Sequence, residues 1–304
     1  MAKIMTLGEI VVEIMARDLG QSLRQPGVLH GPYASGAPAI FIDQVGKLGV
    51  AAGMIGCVGE DDFGYLNCGR LAADGVDVSA ITRLPGETTG SAFVTYRHDG
   101  QRDFVFNIRN SASARLSEAQ VTPQVLADCT HFHVMGSSLF SDGIVAAMKK
   151  SVDLVKRQGG TVSFDPNVRK EMLHSGPMRE ALSHFLRQAD LFLPSGPELT
   201  LLVNADSEEG AIAELLALGV QQIVIKRGSQ GATYRFDIAP MAVIEVDPTG
   251  AGDCFGGAFI ACRALGMAAD EALRLANAAG AMAVTQQGPM EGASSLAQLR
   301  QALA

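Results

Sequence analysis

Runs of residues that suit β-strands alternate along this chain with segments whose apolar residues recur at helical spacing. The strand-like runs include Ala51–Val58, His131–Met135 and Thr161–Phe164, and helical patterns cover Ala37–Leu48 and Ile144–Gln158. Such repeated alternation is typical of a mostly parallel sheet that helices cover on both faces. We therefore predict an α/β fold, a three-layer α/β/α sandwich. Further strands are predicted at Leu191–Leu193 and Gln222–Lys226, and further helices at Phe63–Ala73, Met178–Gln188, Glu208–Leu218, Asp253–Leu265 and Asp270–Thr285.

One stretch interrupts the alternation. Ser91–Tyr96 and Arg102–Asn107 both suit strands, and the Asp99-Gly100 pair between them is a strong hairpin signal. We predict a small β lid whose strands are inserted around residues 10–35 and 88–110 of a single domain, 1–304. Lids commonly close over ligands. An exposed hairpin edge also invites strand pairing, so we expect a homodimer through the lid.

Charge and cysteine content narrow the class of protein. The chain has 24 Lys and Arg against 32 Asp and Glu, a net charge of −8, which disfavours a nucleic-acid partner. Five cysteines without a Cys-x-x-Cys pair indicate free thiols in a reducing compartment. No uncharged run is long enough to span a bilayer, and the N-terminus lacks a long apolar segment. We expect a cytoplasmic protein without a membrane partner.

The strongest chemical signal is Asp247-Pro248-Thr249-Gly250-Ala251-Gly252-Asp253, called the signature segment below. Its glycines permit close approach to the backbone, and a helix is predicted to begin at about Gly252. The first amides of a helix lack internal partners and form a site for an anion. Asp253 places a carboxylate at this site, which suits the role of a general base that accepts a hydroxyl proton while the helix amides stabilise the developing negative charge. The alternative is an ordinary first-turn carboxylate that the helix dipole stabilises.

Two other phosphate-binding motifs do not occur in the sequence. The Walker string Gly-x-x-x-x-Gly-Lys-Ser/Thr is absent. A dinucleotide fingerprint would follow the first strand, but the segment Leu7–Glu13 contains only one glycine, Gly8. P-loop enzymes and ordinary dehydrogenases are therefore excluded.

The signature segment resembles a motif of the ribokinase-like carbohydrate kinases, the PfkB family, and the resemblance runs essentially from end to end of the chain. Asp165-Pro166-Asn167-Val168-Arg169 matches the fructokinase, tagatose kinase and 2-keto-3-deoxygluconate kinase subset. Other segments similar to the family are Gly8-Glu9-Ile10, Ser35-Gly36-Ala37-Pro38-Ala39, Val58–Gly64, Lys226–Ala232 and Ala276–Ala281.

The resemblance implies a role for each matching residue. Asp253 is expected to be the general base on the sugar hydroxyl, with Gly250, Ala251 and Gly252 as the anion hole around the phosphoryl group. The expected sugar-binding residues are Glu13, Gly36, Ala37, Asn167 and Arg169. The expected ATP-binding residues are Ser195, Lys226, Gly228, Gly231, Asn277 and Gly288. Glu198 is expected to organise Mg²⁺ through water, and a monovalent cation such as K⁺ is a further candidate.

The sequence departs from the family pattern at several positions. Glu13 stands where the family often has Asp, and Ser35 replaces the first glycine of the sugar loop. Ile40 replaces the Asn that often ends that loop, and Ser195 replaces the Asn of the family's Asn-x-x-Glu. The segment Phe236–Val246 is short for the hairpin that usually precedes the signature segment.

Three further candidates carry weaker signals. His131 and His133 alternate on one strand face and suit either a metal pair or core histidines, because no third ligand is near in sequence. Arg109 belongs to Arg109-Asn110-Ser111-Ala112, which is similar to the Arg-x-x-Ser-Ala of 2-keto-3-deoxygluconate kinases, and suits either an anionic substrate or a polar loop. Cys254 is interpreted as a packing residue.

The expected function is an ATP- and Mg²⁺-dependent kinase that phosphorylates a primary hydroxyl of a ketohexose or 2-keto-3-deoxy sugar acid. A nucleoside kinase of the same fold is one alternative, with Phe41, Phe104 and Phe106 as candidate stacking residues. A sugar- or nucleotide-binding regulator that has lost catalysis is the other. The Ser195 and Ile40 departures favour the regulator, whereas the intact Asp253 argues against it.

Overall fold

The strands form three sheets in the structure, a computed structural model that describes residues 3–99, 101–168, 176–234 and 236–304. In chain order the strands are β1 Lys3–Leu7, β2 Val11–Ala16, β3 Leu29–Ser35, β4 Ala51–Gly59, β5 Val76–Asp77, β6 Ile81–Leu84, β7 Gly90–Tyr96, β8 Arg102–Asn107, β9 Cys129–Met135, β10 Thr161–Asp165, β11 Leu191–Phe192, β12 Gln222–Ile223, β13 Ile225–Lys226, β14 Ala232–Thr233 and β15 Asp237–Ile238. The central sheet has the order β12-β11-β10-β9-β1-β4-β5, with β6 also paired to β4. Its strand pairings are parallel, as the alternation predicts.

The helices lie on both faces of this sheet. They are α1 Ala37–Lys47, α2 Asp62–Ala73, α3 Asp142–Arg157, α4 Gly176–Leu186, α5 Glu208–Ala217, α6 Ala251–Ala264, α7 Ala269–Ala283 and α8 Leu296–Ala302. Asp61, Ser141 and Ser207 accept backbone N–H groups at the starts of α2, α3 and α5, which satisfies donors that the helices leave unpaired. None of the described helices combines the length and apolar character needed to cross a bilayer.

Two apolar cores, one on each face of the central sheet, hold the layers together. Successive strand residues point to opposite faces, so Ile4 and Met5 of β1 enter different cores. Ile4 packs in the core that contains Phe41 of α1 and Phe259 of α6. Met5 packs in the core that contains Phe185 of α4. This arrangement confirms the predicted three-layer sandwich.

The predicted small β lid is a separate sheet with the order β3-β2-β7-β8. β7 and β8 form the predicted antiparallel hairpin, in which Tyr96 pairs with Arg102. Glu13 of β2 pairs with Tyr33 of β3 and with Ala92 of β7. Because side chains alternate along strands, Glu13, Tyr33, Tyr96 and Arg102 share one face of the lid.

One strand prediction is wrong in detail. The run Gln222–Lys226 is divided between two sheets rather than forming one strand. β12 extends the central sheet beside β11, whereas β13 pairs with β14 of the short antiparallel sheet β13-β14-β15. Local residue preference favours a continuous strand here, but the chain changes its pairing partner within the run.

Candidate active site

The signature segment folds into a buried turn that leads directly into α6. Asp247 fixes this turn, because its Oδ1 accepts Thr249 N at 3.0 Å and its Oδ2 accepts Gly288 N at 3.0 Å. Gly250 precedes α6 with φ 81°, and a Cβ there would lie 2.4 Å from Pro289 O. Glycine accommodates both this positive φ angle and the close approach of Pro289 O, whereas a residue with a Cβ does not. No side chain caps α6, so its first amides remain available for an anion.

Asp253 lies in the first turn of α6, 8% exposed. Its Oδ1 accepts the Asn167 side-chain amide at 3.1 Å. Asn167 has φ 39° and is the one non-glycine residue with positive φ in the described ranges. Such strained backbone persists where surrounding structure holds it, often at functional sites. The structure therefore brings together Asp253, Asn167 and the amides after Gly250, three groups to which the family resemblance assigns roles.

Burial in acidic surroundings raises the pKa of Asp253 well above the usual range. Desolvation is the largest cause, the charges of Asp165, Glu9 and Glu13 add to it, and the Lys226 charge opposes it. The raised pKa means that the folded protein holds this proton more tightly than the unfolded chain does. Ionisation of Asp253 therefore lowers the free energy of unfolding.

We expect Asp253→Asn to be more stable than the wild type at pH 7, by at least about 2 °C in Tm. An unfolded Asp ionises near pH 4, whereas folded Asp253 has a raised pKa and resists ionisation. The wild type therefore loses stability as the pH rises from about 4 toward the pKa of folded Asp253. The neutral amide avoids that loss and keeps an Oδ1 for Asn167. Thermal unfolding at pH 4 and pH 7 measures the difference. A Tm difference equal at both pH values would contradict this interpretation.

A buried ion pair lies beside Asp253. The Lys226 ammonium pairs with Asp165 Oδ2, and both side chains are at most 8% exposed. Asp165 Oδ1 accepts Asn167 N at 3.2 Å. Asp165 therefore connects Lys226 with the residue that holds Asp253. Sequence reasoning assigned Lys226 to the ATP site and gave Asp165 no role.

Glu198 lies in a short 3₁₀ helix, Gly196–Thr200, where its carboxylate accepts two backbone amides. Oε2 accepts Ser195 N at 2.7 Å, and Oε1 accepts Val168 N at 2.9 Å. Each oxygen retains a lone pair for a water of hydrated Mg²⁺, an ion that keeps several waters in phosphate sites. No group of three or more metal-ligating side chains occurs among the described residues. The residues fit Mg²⁺ held through water and nucleotide phosphates.

The expected sugar side lies where β1 ends and α1 begins. Glu13 Oε1 accepts Ser35 Oγ at 2.8 Å, so the serine that replaces glycine orients this carboxylate. Gly36, with φ 113°, precedes Ala37 at the start of α1, and a Cβ on Gly36 would lie 2.4 Å from Glu9 O. The carboxylate of Glu9 accepts Ser137 and Ser138 hydroxyls. Sequence reasoning did not single out Glu9 or the Ser35 contact.

Ile40, the other departure in the sugar loop, is buried in the core. Its Cγ2 lies 3.1 Å from the position that a Cβ on Gly250 would take. Ile40 therefore packs against the turn before α6 and supports it through apolar contact.

The residues expected at the nucleotide lie in two groups. Gly231, with φ 90°, packs against Ile238 O, and Asn277 Nδ2 donates to Ala239 O at 2.9 Å, so both border the loop after β15. Gly228, with φ 55°, begins the turn that Gly231 ends. Gly288 instead lies at the signature segment, where its amide donates to Asp247.

One expected substrate residue, Arg109, is not brought together with Asp253 and Asn167. Arg109 lies exposed in the loop after β8. Arg169 lies outside the described residues. Both assignments stay predictions.

His133 and Cys254 belong to the core, and His131 is partly buried beside it. His133 stacks on Phe41 with ring centroids 3.8 Å apart, and both His131 and His133 bond to Ser163 Oγ. Burial lowers the pKa of His131 to about 4. Cys254 is fully buried, and burial raises the pKa of its thiol. Because Phe41 is buried and its ring stacks on His133, it is unable to stack on a nucleoside base.

The lid touches the signature segment through Arg102, a contact that sequence reasoning missed. Arg102 Nη1 donates to Thr249 Oγ1 at 2.5 Å, and Thr249 Oγ1 donates to Asp247 Oδ1 at 2.7 Å. Since Asp247 also accepts Gly288 N, one hydrogen-bonded chain runs from the lid to the nucleotide side.

We expect Arg102→Met to raise KM for the acceptor by roughly tenfold or more, because a charged hydrogen bond that holds the lid is lost. Arg97→Met is the control, since Arg97 lies exposed near the hairpin turn and pairs with Asp103. Steady-state kinetics with both variants measure the effect. Equal KM values for the two variants would contradict a role for the Arg102 contact.

Comparison with known proteins identifies the family. The model described as pfkB family carbohydrate kinase matches residues 1–296, so the chain belongs to the PfkB family of carbohydrate kinases. Fructokinase-1 of Oryza sativa subsp. japonica is 30% identical over 302 residues, which cover 94% of this chain and 92% of the rice protein. The chain is therefore a phosphotransferase that acts on an alcohol group.

Solved structures give the same class. An E. coli protein provisionally assigned as Ribokinase II, solved with ATP and Mg²⁺, is 56% identical, with a TM-score of 0.97 and coverage of 100% of this chain and 99% of that chain. Fructokinase from Vibrio cholerae O395, solved with fructose, ADP and calcium ion, is 25% identical, with a TM-score of 0.85 and coverage of 100% and 99%.

Proposed function

We propose that this kinase transfers the γ-phosphoryl group of ATP to a primary hydroxyl of a ketohexose or a 2-keto-3-deoxy sugar acid, with Asp253 as the base. The observation that carries the proposal is the Asn167 amide held on Asp253 Oδ1 in the first turn of the uncapped α6. Asp253 accepts the hydroxyl proton as the oxygen attacks phosphorus. The α6 amides stabilise charge on the phosphoryl oxygens.

The other site residues position the two substrates. Glu13, oriented by Ser35, accepts a hydrogen bond from a sugar hydroxyl, and Gly36 and Ala37 bring the backbone close to the sugar. Asn167 orients Asp253, and Arg169 and Arg109 are the candidates for an anionic acceptor group. A guanidinium meets a carboxylate through two hydrogen bonds, so these arginines suit a sugar acid.

ATP is the proposed donor, with Lys226, Ser195, Gly228, Gly231, Asn277 and Gly288 on its side of the site. Mg²⁺, when bound with ATP, neutralises phosphate charge, and Glu198 would hold its waters. The E. coli relative was solved with ATP and Mg²⁺, which supports this assignment. A V. cholerae fructokinase double mutant was solved with a potassium ion, which supports K⁺ as a further cofactor.

A homodimer through the lid is part of the proposal. Val105 and Phe106 on the outer lid strand β8 are 52% and 50% exposed. Leu29 on the opposite edge strand β3 is 38% exposed. Apolar side chains on an exposed strand edge favour pairing with another chain.

An ADP-release assay with fructose, tagatose and 2-keto-3-deoxygluconate tests the function. Release that depends on one of these acceptors is the expected result. Release only with nucleosides would replace the proposed acceptor class. Sugar binding without ADP release would indicate the regulator that has lost catalysis.

A nucleoside kinase is the second candidate, and one observation favours it. The rings of Phe104 and Phe106 stack with centroids 5.2 Å apart. Arg102, Phe104 and Phe106 occupy every second position of β8, which places all three on the same face of the lid. Aromatic rings on that face suit a nucleobase. The panel therefore includes nucleosides.

A further inference from the structure

The backbone of Lys226 is held by contacts on two sides, which restricts the positions that its ammonium group can reach. Lys226 N donates to Pro194 O at 2.8 Å, and Lys226 pairs with Ala232 in β13 and β14. The residue is 8% exposed. From this anchored strand the side chain reaches Asp165 at the end of β10.

The ammonium of Lys226 is held in its charged form by carboxylates. The charges of Asp165, Glu198 and Asp253 raise the pKa of Lys226, against the opposing effect of burial. Because its pKa is raised and its ammonium pairs with Asp165, Lys226 is suited to stabilising charge and unsuited to accepting a proton.

The same ammonium lies next to the first turn of α6. A Cβ added to Gly252 would lie 3.5 Å from Lys226 Nζ, with Lys226 carbons as its other neighbours. The Lys226 ammonium therefore places a positive charge beside the first turn of α6, whose amides no side chain caps. A phosphoryl oxygen placed there meets both.

We propose that Asp165 is a positioning residue that holds the Lys226 ammonium beside the first turn of α6, so that Lys226 contacts the phosphoryl group during its transfer. This inference rests on the proposed function. In the step, the bond from γ-phosphorus to the β,γ-bridging oxygen breaks, and its electron pair leaves with ADP. A bond from the sugar oxygen to phosphorus forms, and the hydroxyl proton passes to Asp253. Lys226 keeps its proton throughout.

Asp165 is suited to this task because its two oxygens serve two different partners. Oδ2 pairs with Lys226, and Oδ1 accepts Asn167 N. Asp165→Asn keeps the oxygen that Asn167 needs and removes the charge that holds the ammonium. Because the Asp165 charge also raises the pKa of Asp253, the effect of Asp165→Asn on turnover is measured across pH, and the part that does not vary with pH reports the position of Lys226.

The test compares Lys226→Met, Lys226→Arg and Asp165→Asn with a control, Lys47→Met. Lys47 pairs with Asp74 at 3.3 Å at the end of α1 and is partly buried. We expect Lys226→Met to lower kcat by roughly 10²-fold or more. Asp165→Asn should lower kcat by roughly tenfold with KM for ATP within about threefold, Lys226→Arg should restore part of the activity, and Lys47→Met should match the wild type.

A binding measurement gives a readout that does not need turnover. By calorimetry, Lys226→Met should weaken binding of ADP with Mg²⁺ and fluoroaluminate, a mimic of the transferring group, by about tenfold or more. The same variant should weaken binding of ADP with Mg²⁺, without fluoroaluminate, by less than about threefold. Equal weakening of both ligands would overturn the inference, because Lys226 would then hold only the nucleotide. This comparison separates the inference from the acceptor assignment, which the sugar panel tests.

Loss of one partner from a buried ion pair often destabilises the fold, so a double variant completes the test. Asp165→Asn with Lys226→Met removes both charges and leaves similar volumes, a change that buried pairs often tolerate. The double variant should fold and show the same loss of fluoroaluminate binding. Wild-type binding in a folded double variant would overturn the inference.

Discussion

Replacing Asp253 by Asn is expected to lower kcat by roughly 10²–10⁴-fold, the range typical for loss of a positioned base. The substitution keeps the shape of the side chain and an oxygen for the Asn167 amide. It removes the group that takes the hydroxyl proton. ATP affinity should stay within a few fold, because the amides after Gly250 are unchanged. Steady-state turnover and ATP titration measure the two effects.

Asp43→Asn is the matched control for this variant. Asp43 is also fully buried, and burial raises the pKa of its carboxyl well above the usual range. It lies in α1, outside the signature segment, and pairs with Arg70 at 3.6 Å. Its substitution should leave kcat within a few fold. Near-normal turnover in Asp253→Asn would contradict the role of Asp253 as the base.

Replacing Gly252 by Ala is expected to lower kcat/KM by roughly 10²–10³-fold, with little loss of stability. The added methyl group meets Lys226 atoms at 3.5–4.0 Å, which is ordinary contact, so the fold tolerates it. The methyl group takes up the space beside Lys226 where we place the phosphoryl oxygens. Displacing the phosphoryl oxygens from the helix amides and the ammonium should cost about as much as losing one such donor does in other enzymes. Kinetics and thermal unfolding together separate activity from stability.

Gly256→Ala, one turn further along α6, is the control. Its methyl group would lie 3.7 Å from Phe41, again an ordinary contact. Alanine favours a helix interior over glycine, so this variant should be as stable as the wild type and fully active. If the two variants had equal activity, the phosphoryl group would not lie beside Gly252.

Most of the fold could be predicted because its signals are local. The alternation of strand and helix patterns predicted a mostly parallel central sheet, and Asp99-Gly100 predicted the hairpin of β7 and β8. The signature segment located the turn before α6, since glycine is required at Gly250. The division of Gln222–Lys226 escaped prediction, because each half pairs with a different strand and local preference does not encode the partner.

The missed parts of the site depend on contacts between distant segments. Asp165 and Lys226 are 61 residues apart in sequence, and Arg102 and Thr249 are 147 apart. Neither pair has a spacing that periodicity reveals. Ser35 was identified as a departure from the family pattern, but its bond to Glu13 needed the register of β2 with β3.

The most direct test of Asp253-dependent sugar phosphorylation is identification of the product by ³¹P NMR and mass spectrometry, with ATP, Mg²⁺ and each acceptor of the panel. We expect one sugar monophosphate, esterified at a primary hydroxyl, for each ADP released, and a loss of both products in Asp253→Asn. Inorganic phosphate with ADP, or ADP release unchanged in Asp253→Asn, would contradict this expectation.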